Sequence, residues 1–472
     1  MSTGLFLAIL ALAIVALMVT IIKYKMHPVL ALFTVSLVTG ILLGYGTLPT
    51  VKLINDGFGG TLGSIGITII IGSIIAMGIE DTGAAKSIAN FFIRLFRGRR
   101  MELAPSLTAF IMSIPVFGDI TMVLTAPIAS MISIRKKISM STMAAFTGLG
   151  LFLTHAMVPP TPGILAIAIL MGADLGLTIA WGFVLSLIAF FVTWFILKRW
   201  TAKEWIAPRE DFVRGVSSVE SDNIEDILIR EEGLPGVGTS FMPLLLPVVL
   251  ISFASFTNMY IAEGNVIRTG ANIVGDRVIA LFIGLVYSVY LGYRQRQSIM
   301  SSYKALNPLD EKTTITSIML DKWVVRGLTV ALLPLLVTGM GGAFGAVLKA
   351  SPAIKGLSAL ITSSSIMPVL VPWGIGVIMM TAVGSMTMAG MTAAAIVHPM
   401  LGDLGLSPLM ATLSIGAGTL MFNHVNNSGF WVMGQFFNLD TKQSIKYVTV
   451  PCVVASIVII LLMVGMVSMG MN

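Results

Sequence analysis

Among the residues of this chain that could carry chemistry, Asp119 has the most suggestive position. It lies in the segment PVFGDIT, residues 115–121, inside a long apolar stretch. A carboxylate is costly to bury in apolar surroundings, and it takes up a proton there more readily than in water. The same side chain can instead cap the following helix by accepting backbone N–H bonds, and one residue can do both. We predict Asp119 as a proton-coupling residue and Thr121 as a candidate substrate contact.

Two histidines, His155 and His424, fall where long apolar stretches are interrupted by polar and proline residues. An imidazole at such a place either braces the loop backbone or lines a binding site, and the sequence leaves both interpretations open. Neither histidine belongs to an HExxH motif or has a carboxylate at ligand spacing. No metal site and no cofactor are therefore predicted.

The interruptions themselves are PPTPG at residues 159–163 and NHVNNSG at residues 423–429. Breaks of this kind expose helix ends, whose free N–H groups and positive dipole end suit an anion. Lys and Arg are absent from the predicted membrane midplane, so a carboxylate substrate has to be held by helix ends, hydroxyls, amides and imidazole. The candidate substrate-binding residues are Thr121, His155, Thr161, Ser385, Thr387, Asn423, His424, Asn426 and Asn427.

The composition decides which kind of protein must position these residues. Of 472 residues, 56% are hydrophobic and 11% are charged, with a mean hydropathy of +0.94. Soluble domains carry about 25% charged residues, so a soluble enzyme, a DNA-binding protein and a disordered scaffold are excluded. The sequence predicts an all-α polytopic membrane protein in a lipid bilayer. The single cysteine, Cys452, excludes a disulfide framework.

The charge distribution predicts the orientation of the chain. With the amino and carboxyl termini outside and the linker at 198–240 in the cytoplasm, 24 of the 29 Lys and Arg residues lie inside. The positive-inside rule favours this arrangement. The net charge of +7 is thus explained by loop topology, and no nucleic-acid partner is predicted.

An internal repeat organises the predicted elements. At an offset of 269 residues His155 meets His424, and the first interruption lies over the second. Each half is predicted to have about five crossings, one re-entrant hairpin and one discontinuous helix, and an odd number of crossings inverts the second half. The predicted units are a first repeat at 1–197 with hairpin 101–134 and broken helix 138–177, the linker at 198–240, and a second repeat at 241–472 with hairpin 357–398 and broken helix 407–440.

Four segments together resemble the signature stretches of the GntP family, the gluconate:proton symporters. They are GFGGTLGSIG at 57–66, THAMVPPTPG at 154–163, GADLG at 172–176 and NHVNNSGFW at 423–431. The resemblance implies inverted repeats with re-entrant hairpins, a homodimer with elevator-like motion, and uptake of gluconate or a related hydroxy acid, in some members D-serine, across the bacterial inner membrane. The family's acidic residue in the first hairpin matches Asp119.

The chain departs from the family pattern inside both interruptions. Thr161 stands where the family commonly has a histidine, Ile164 where it has the last proline, and Asn427 where it has an aspartate. Gluconate itself is therefore the least certain part of what the resemblance implies, whereas the transporter class is not affected.

These observations predict a proton-coupled symporter of gluconate or a related small sugar acid, and not an enzyme. One alternative is a sodium-coupled carrier of carboxylates or of a D-serine-like amino acid, because Asn426, Asn427 and backbone carbonyls can also coordinate Na⁺. A second alternative is a membrane-embedded enzyme using His155 and His424, although no recognisable catalytic set accompanies them. A passive channel is the third.

Overall fold

The computed structural model describes residues 3–24, 26–114, 118–213, 233–307, 312–351, 367–424 and 427–470. Throughout these residues the secondary structure is helical, and they contain no strand. Six of the described helices are long and apolar enough to cross a membrane by length and composition. The prediction of an all-α polytopic membrane protein is thus confirmed.

The first half contains nine α-helices, counted over the described residues. A π-helical turn, Val19–Lys23, follows the first of them. The helices are α1 Thr3–Met18, α2 Pro28–Leu42, α3 Thr47–Asp81, α4 Ala84–Phe96, α5 Leu103–Met112, α6 Gly118–Lys136, α7 Met140–Met157, α8 Pro162–Met171 and α9 Leu175–Thr201.

A short α10, Glu210–Val213, lies in the linker, and the second half follows it. Its π-helical turns are Ile318–Lys322 and Ile445–Thr449, and a 3-10 turn covers His398–Met400. The helices are α11 Val237–Tyr260, α12 Val266–Val274, α13 Arg277–Arg294, α14 Arg296–Leu306, α15 Ile315–Ser317, α16 Trp323–Lys349, α17 Leu370–Val383, α18 Met386–Val397, α19 Leu401–Leu404, α20 Pro408–Leu420, α21 Ser428–Phe436, α22 Thr441–Ser444 and α23 Val450–Ser468.

Both halves show a pair of helices, then an interrupted helix and then a long helical stretch. The pairs are α5/α6 in the first half and α17/α18 in the second, and the interrupted helices are α7/α8 and α20/α21. Residues 115–117, at the predicted tip of the first hairpin, and residues 357–366 of the second predicted hairpin lie outside the described residues. The unit boundaries, the re-entrant course of the hairpins and the inversion of the halves stay predictions.

Helices α3 and α16 pack backbone to backbone. A Cβ atom added at Gly57 would stand 2.7 Å from the carbonyl oxygen of Gly342 and 2.7 Å from the Cβ of Ala346. Small residues at a helix crossing allow this approach, which supplies the van der Waals contact that drives helix association in lipid. The glycine-rich segment at 57–66 is therefore a packing surface over part of its length.

A charged cluster joins the other end of α3 to the start of α16. Arg326 donates from Nη1 to Asp81 and from Nη2 to Glu80, each at 2.8 Å. The indole of Trp323, which is fully buried, donates to Asp81 Oδ2 at 2.7 Å. Two carboxylates and one guanidinium thus connect the two helices at the end opposite to the glycine contact.

The segment that follows α9 forms a strap, residues 202–206, between the start of α7 and the turn before α23. The Glu204 carboxylate accepts from Lys446 Nζ at 2.8 Å, from the Tyr447 hydroxyl at 2.6 Å and from Gln443 Nε2 at 2.9 Å. Ser139, the N-cap residue of α7, donates its hydroxyl to the Glu204 carbonyl at 2.7 Å. One side chain of the linker therefore connects the first half to the second.

Replacing Glu204 by glutamine should weaken this connection. Hydrogen bonds, first from Lys446 and then from Tyr447 and Gln443, lower the pKa of Glu204 from 4.5 to about 2. A depressed carboxyl pKa contributes stability that is fully present above pH 4.5 and is lost as the pH falls towards 2. We expect Glu204→Gln to lower the unfolding temperature in detergent at neutral pH, with a difference from wild type that shrinks below pH 4.5.

Differential scanning fluorimetry across this pH range measures the effect. Glu263→Gln is the control, because Glu263 is largely exposed and its ion pair with Arg268 is longer, at 3.5 Å. An unfolding temperature of Glu204→Gln equal to that of wild type at neutral pH would contradict a stabilising strap.

Candidate substrate site

The first helix break lies between Met157, where α7 ends, and Pro162, where α8 begins. Thr161 is buried at the N-cap position of α8, and its hydroxyl donates to the carbonyls of Val158 at 2.9 Å and of His155 at 3.2 Å. Backbone carbonyls freed by the break are thus satisfied within the protein, as membrane depth requires. Thr161 supports the break directly.

His155 lies two residues before the end of α7. Its Nδ1 atom is buried and has no hydrogen-bond partner among the described residues. A buried polar atom without a partner is costly in a folded protein and often marks a place where a ligand or ion binds. Of the two interpretations that the sequence leaves open for His155, this observation favours the site-lining one.

The second helix break lies between Leu420, where α20 ends, and Ser428, where α21 begins. Asn423 donates to the Leu420 carbonyl at 3.1 Å, and its own side-chain oxygen accepts from Asn427 Nδ2 at 2.6 Å. Asn427 is the N-cap of α21, where its Oδ1 accepts from the Gly429 N–H at 2.6 Å. The two asparagines therefore form one buried network that shapes the break.

His424 and Thr449 complete the description of this break. The Asn427 N–H donates to the His424 carbonyl at 2.8 Å, and the His424 side chain is half-buried. Thr449, which precedes α23, donates its hydroxyl to the Asn423 carbonyl. Asn426 lies outside the described residues. The role of Thr449 could not be predicted, because nothing in its local sequence pattern shows which loop it faces.

The second hairpin meets the first break. Ser385 is the N-cap of α18 and accepts from the Met388 N–H at 3.4 Å, and Thr387 is buried in the first turn. A Cβ atom added at Gly163 in α8 would lie 3.1 Å from the hydroxyl oxygen and 3.2 Å from the Cα of Thr387. The N-terminal ends of α18 and α8 are thus in direct contact.

The first hairpin meets the second break in the same way. A Cβ atom at Gly429 in α21 would lie 3.1 Å from Phe152 of α7 and 3.3 Å from Met122 of α6. Thr121, next to Met122, is buried, and its hydroxyl has no partner among the described residues. Asp119 lies in the first turn of α6, but its side chain is not among the described ones.

The two breaks also touch each other. A Cβ atom at Gly416 in α20 would stand 2.6 Å from the carbonyl oxygen of Ala156 in α7. The helix pair predicted as a hairpin in each half therefore packs on the break of the other half, and α7 touches α20. The structure brings Thr161 close to Thr387, and it places Thr121 on the helix that packs against the second break.

This arrangement is suited to an anion. The N-termini of α6, α8, α18 and α21 lie near these contacts, and each carries a positive partial charge. At α18 and α21 one N–H group is already bonded to the capping side chain, Ser385 or Asn427. Lys and Arg are absent from the sequence segments 118–122, 158–165, 384–389 and 420–430 that form these ends. Helix dipoles, hydroxyls and imidazole supply the polar groups there.

Comparison with known proteins decides the family. The model of the family described as GntP family permease matches residues 5–470. The chain belongs to this family. A gluconate permease of Pseudomonas aeruginosa is 29% identical to this chain over 449 residues, with 94% of each chain covered. The D-serine transporter DsdX of Escherichia coli is 29% identical over 452 residues, with 95% of each chain covered.

The fold has a counterpart among solved structures. The YdaH transporter of Alcanivorax borkumensis superimposes with a TM-score of 0.55 over 94% of this chain and 99% of that one, at 12% identity. At this identity the likeness shows the fold alone. The relatives are permeases and transporters, so the permease is a multi-pass membrane transporter and the membrane-embedded enzyme is excluded.

The asparagine network should stabilise the permease measurably. Asn427→Ala removes the cap on Gly429 and the donor to Asn423, and it leaves a buried acceptor unpaired, which costs about 1–3 kcal/mol. Asn265→Ala removes an N-cap of α12 that is exposed and is the matched control. We expect a lower unfolding temperature for Asn427→Ala than for Asn265→Ala, and equal values would show that the network contributes nothing beyond a cap.

Enlarging a side chain at the contact between α8 and α18 should lower the rate of transport and not the stability of the protein. Gly163→Ala places a methyl group against Thr387, whereas alanine has the higher intrinsic helix propensity. Radiolabelled gluconate is the test substrate, because the Pseudomonas aeruginosa relative is a gluconate permease. We expect its uptake to fall about tenfold, because small displacements of binding groups lower the rate of the bound reaction step. Gly465→Ala in α23, where a Cβ atom has open space, should leave uptake unchanged. Normal uptake by Gly163→Ala would show that this contact is not part of the substrate site.

Proposed function

We propose that the permease carries gluconate or a related small hydroxy acid into the cell together with a proton, across the inner membrane. The observation that supports this most is the packing of each predicted hairpin on the break of the other half. It brings the N-termini of α8 and α18 together and places α6 against the N-terminus of α21, with no Lys or Arg in the segments that form these ends. Such ends bind a carboxylate by backbone N–H groups and dipoles. Hydroxyls beside them suit a substrate that carries several hydroxyls of its own.

The candidate residues divide into contacts and supports in this proposal. Thr121 and His155 contact the substrate, since each has a buried polar atom without a partner among the described residues. Thr387 joins them from the second hairpin, and His424 from the second break. Thr161, Ser385, Asn423 and Asn427 support the helix ends, because their side chains already hold backbone groups or each other. Asn426 is kept as a candidate contact.

Asp119 carries the coupling proton in this mechanism. Its place in the first turn of α6 puts it beside one of the four N-termini. A proton on Asp119 removes a negative charge that would repel the incoming anion, so that an inward proton gradient favours the loaded state. Release of the proton on the cytoplasmic side, with the termini outside and the linker inside, then favours release of the acid.

Sodium coupling is the second candidate, and one observation favours it. Besides Thr121, the buried hydroxyl of Ser113 at the end of α5 has no partner among the described residues. Hydroxyl and carbonyl oxygens are ligands suited to hard cations. A sodium ion bound at the first predicted hairpin would use such hydroxyls as ligands. The homodimer that the family resemblance implies stays part of this proposal.

Uptake of gluconate into proteoliposomes under an imposed inward pH gradient tests the proposal. We expect wild type to accumulate gluconate only with the gradient, and Asp119→Asn to lose accumulation against a gluconate gradient while still allowing exchange. Asp174→Asn is the matched control, because Asp174 caps α9 through its Oδ1 at 2.8 Å from the Leu177 N–H, and asparagine can also cap.

Three results would change the proposal. Accumulation that follows a sodium gradient at fixed pH would establish the second candidate. Normal accumulation by Asp119→Asn would mean that this residue only caps α6. Uptake of D-serine without uptake of gluconate or other hydroxy acids would replace the substrate class.

A further inference from the structure

A cavity of about 340 Å³ lies between α3, α8, α16 and α18, apart from the contacts that form the candidate site. Its volume falls within the range of about 300–1,000 Å³ that is usual for small-molecule pockets. It meets α8 at Ala166, Ile169 and Leu170, up to seven residues beyond Gly163. At 1.5 Å per residue the far end of the cavity is about 10 Å from the first break.

Small residues create this space. Gly345 of α16 approaches Ala395 of α18 so closely that an added Cβ atom would stand 2.5 Å from that methyl group. Gly57, Gly60 and Gly342 line the same cavity. Backbones that approach at these points leave a gap beside them, which larger side chains would fill.

Charged and polar side chains also line the cavity, and Lys349, Asp56 and Ser64 among them are exposed. Lys349, the last residue of α16, and His398, directly after α18, both line it, and the charge of Lys349 acts on the imidazole. Within the described part of the chain Lys349 forms no salt bridge, and His398 Nδ1 is buried without a partner. Asp56 and Ser64 of α3 line the opposite wall.

We propose that this cavity is a second binding site for the small hydroxy acid, on the outer side of the permease in the predicted orientation. The carboxylate of the acid binds Lys349 and His398, and its hydroxyls bind Asp56, while the Ser64 hydroxyl is bonded to the Gly60 carbonyl of its own helix. Because the cavity runs along α8 and α18, whose N-terminal ends form the candidate site, it gathers the acid beside that site. The inference rests on the proposed function for the identity of the acid.

Cysteine labelling in proteoliposomes tests the site directly. The single native cysteine, Cys452, is buried, so Ser64→Cys provides an exposed thiol in the cavity wall. We expect gluconate to slow the reaction of this thiol with N-ethylmaleimide severalfold. Thr269→Cys on α12 is the control, because Thr269 is exposed and does not line the cavity; gluconate should not affect its reaction.

Lys349→Gln separates direct binding in the cavity from an indirect effect of transport. In the Ser64→Cys background it should raise the gluconate concentration needed for protection about tenfold, as expected for the loss of a charge-assisted hydrogen bond. It should also raise the KM for uptake more than it lowers the maximal rate. Lys349→Arg should restore both values towards wild type, and Lys304→Gln, a charge change on α14, which does not line the cavity, should leave both unchanged.

The outcomes distinguish this inference from the proposed function. Uptake by wild type without protection of Ser64→Cys would overturn the cavity site and leave the proposed function standing. Protection that does not depend on Lys349 would show an indirect effect and overturn it as well. An effect of Lys349→Gln seen only in liposomes with anionic lipids would assign the cavity to a lipid headgroup. Protection without uptake of any acid would instead contradict the proposed function.

Discussion

The structure depends on one constraint: a helix that is broken inside a membrane must find partners for the backbone groups that the break exposes. Water is absent at that depth, and each unsatisfied group costs several kcal/mol. The permease meets this cost with short polar side chains close to the breaks. Thr161 turns its hydroxyl back to the end of α7, and Asn423 and Asn427 pair with each other and with the ends of α20 and α21. At α8 the N-terminal N–H groups stay available because Thr161 bonds backwards, whereas Asn427 already accepts one N–H at the start of α21.

The second requirement is close packing, and glycine provides it at each crossing. Gly150 of α7 lies against the Ser106 carbonyl of α5, and Gly418 of α20 lies against the Trp373 carbonyl of α17. The same contact thus recurs in both halves between the first short helix and the interrupted helix. A side chain at either glycine would push a hairpin away from its neighbour. Both halves therefore hold their hairpin helices by the same means.

Part of this could be predicted from the sequence. The mean hydropathy gave the membrane class, the clusters at 159–163 and 423–429 gave the positions of the breaks, and the residues Thr161 and Asn427 are of types that cap helices. The partners of the breaks could not be predicted, because which hairpin packs on which break is set by contacts more than 200 residues apart along the chain, such as Gly163 with Thr387. That Lys349 and His398 line one cavity could not be predicted either. A lysine at the end of a membrane helix usually belongs to the charged residues of the adjoining loop. Only the packing of α16 against α18 shows that Lys349 lines a cavity.

The packing of each hairpin on the break of the other half has a consequence for how this protein can evolve. Neither half contains a complete set of the contacts, so selection acts on pairs of positions that lie in different repeats. A larger residue at 163 requires Thr387 to shift by a few tenths of an ångström, and a larger residue at 429 requires the same of Phe152 and Met122. Substitutions there should be correlated among relatives, whereas lipid-facing positions of the same helices should drift separately.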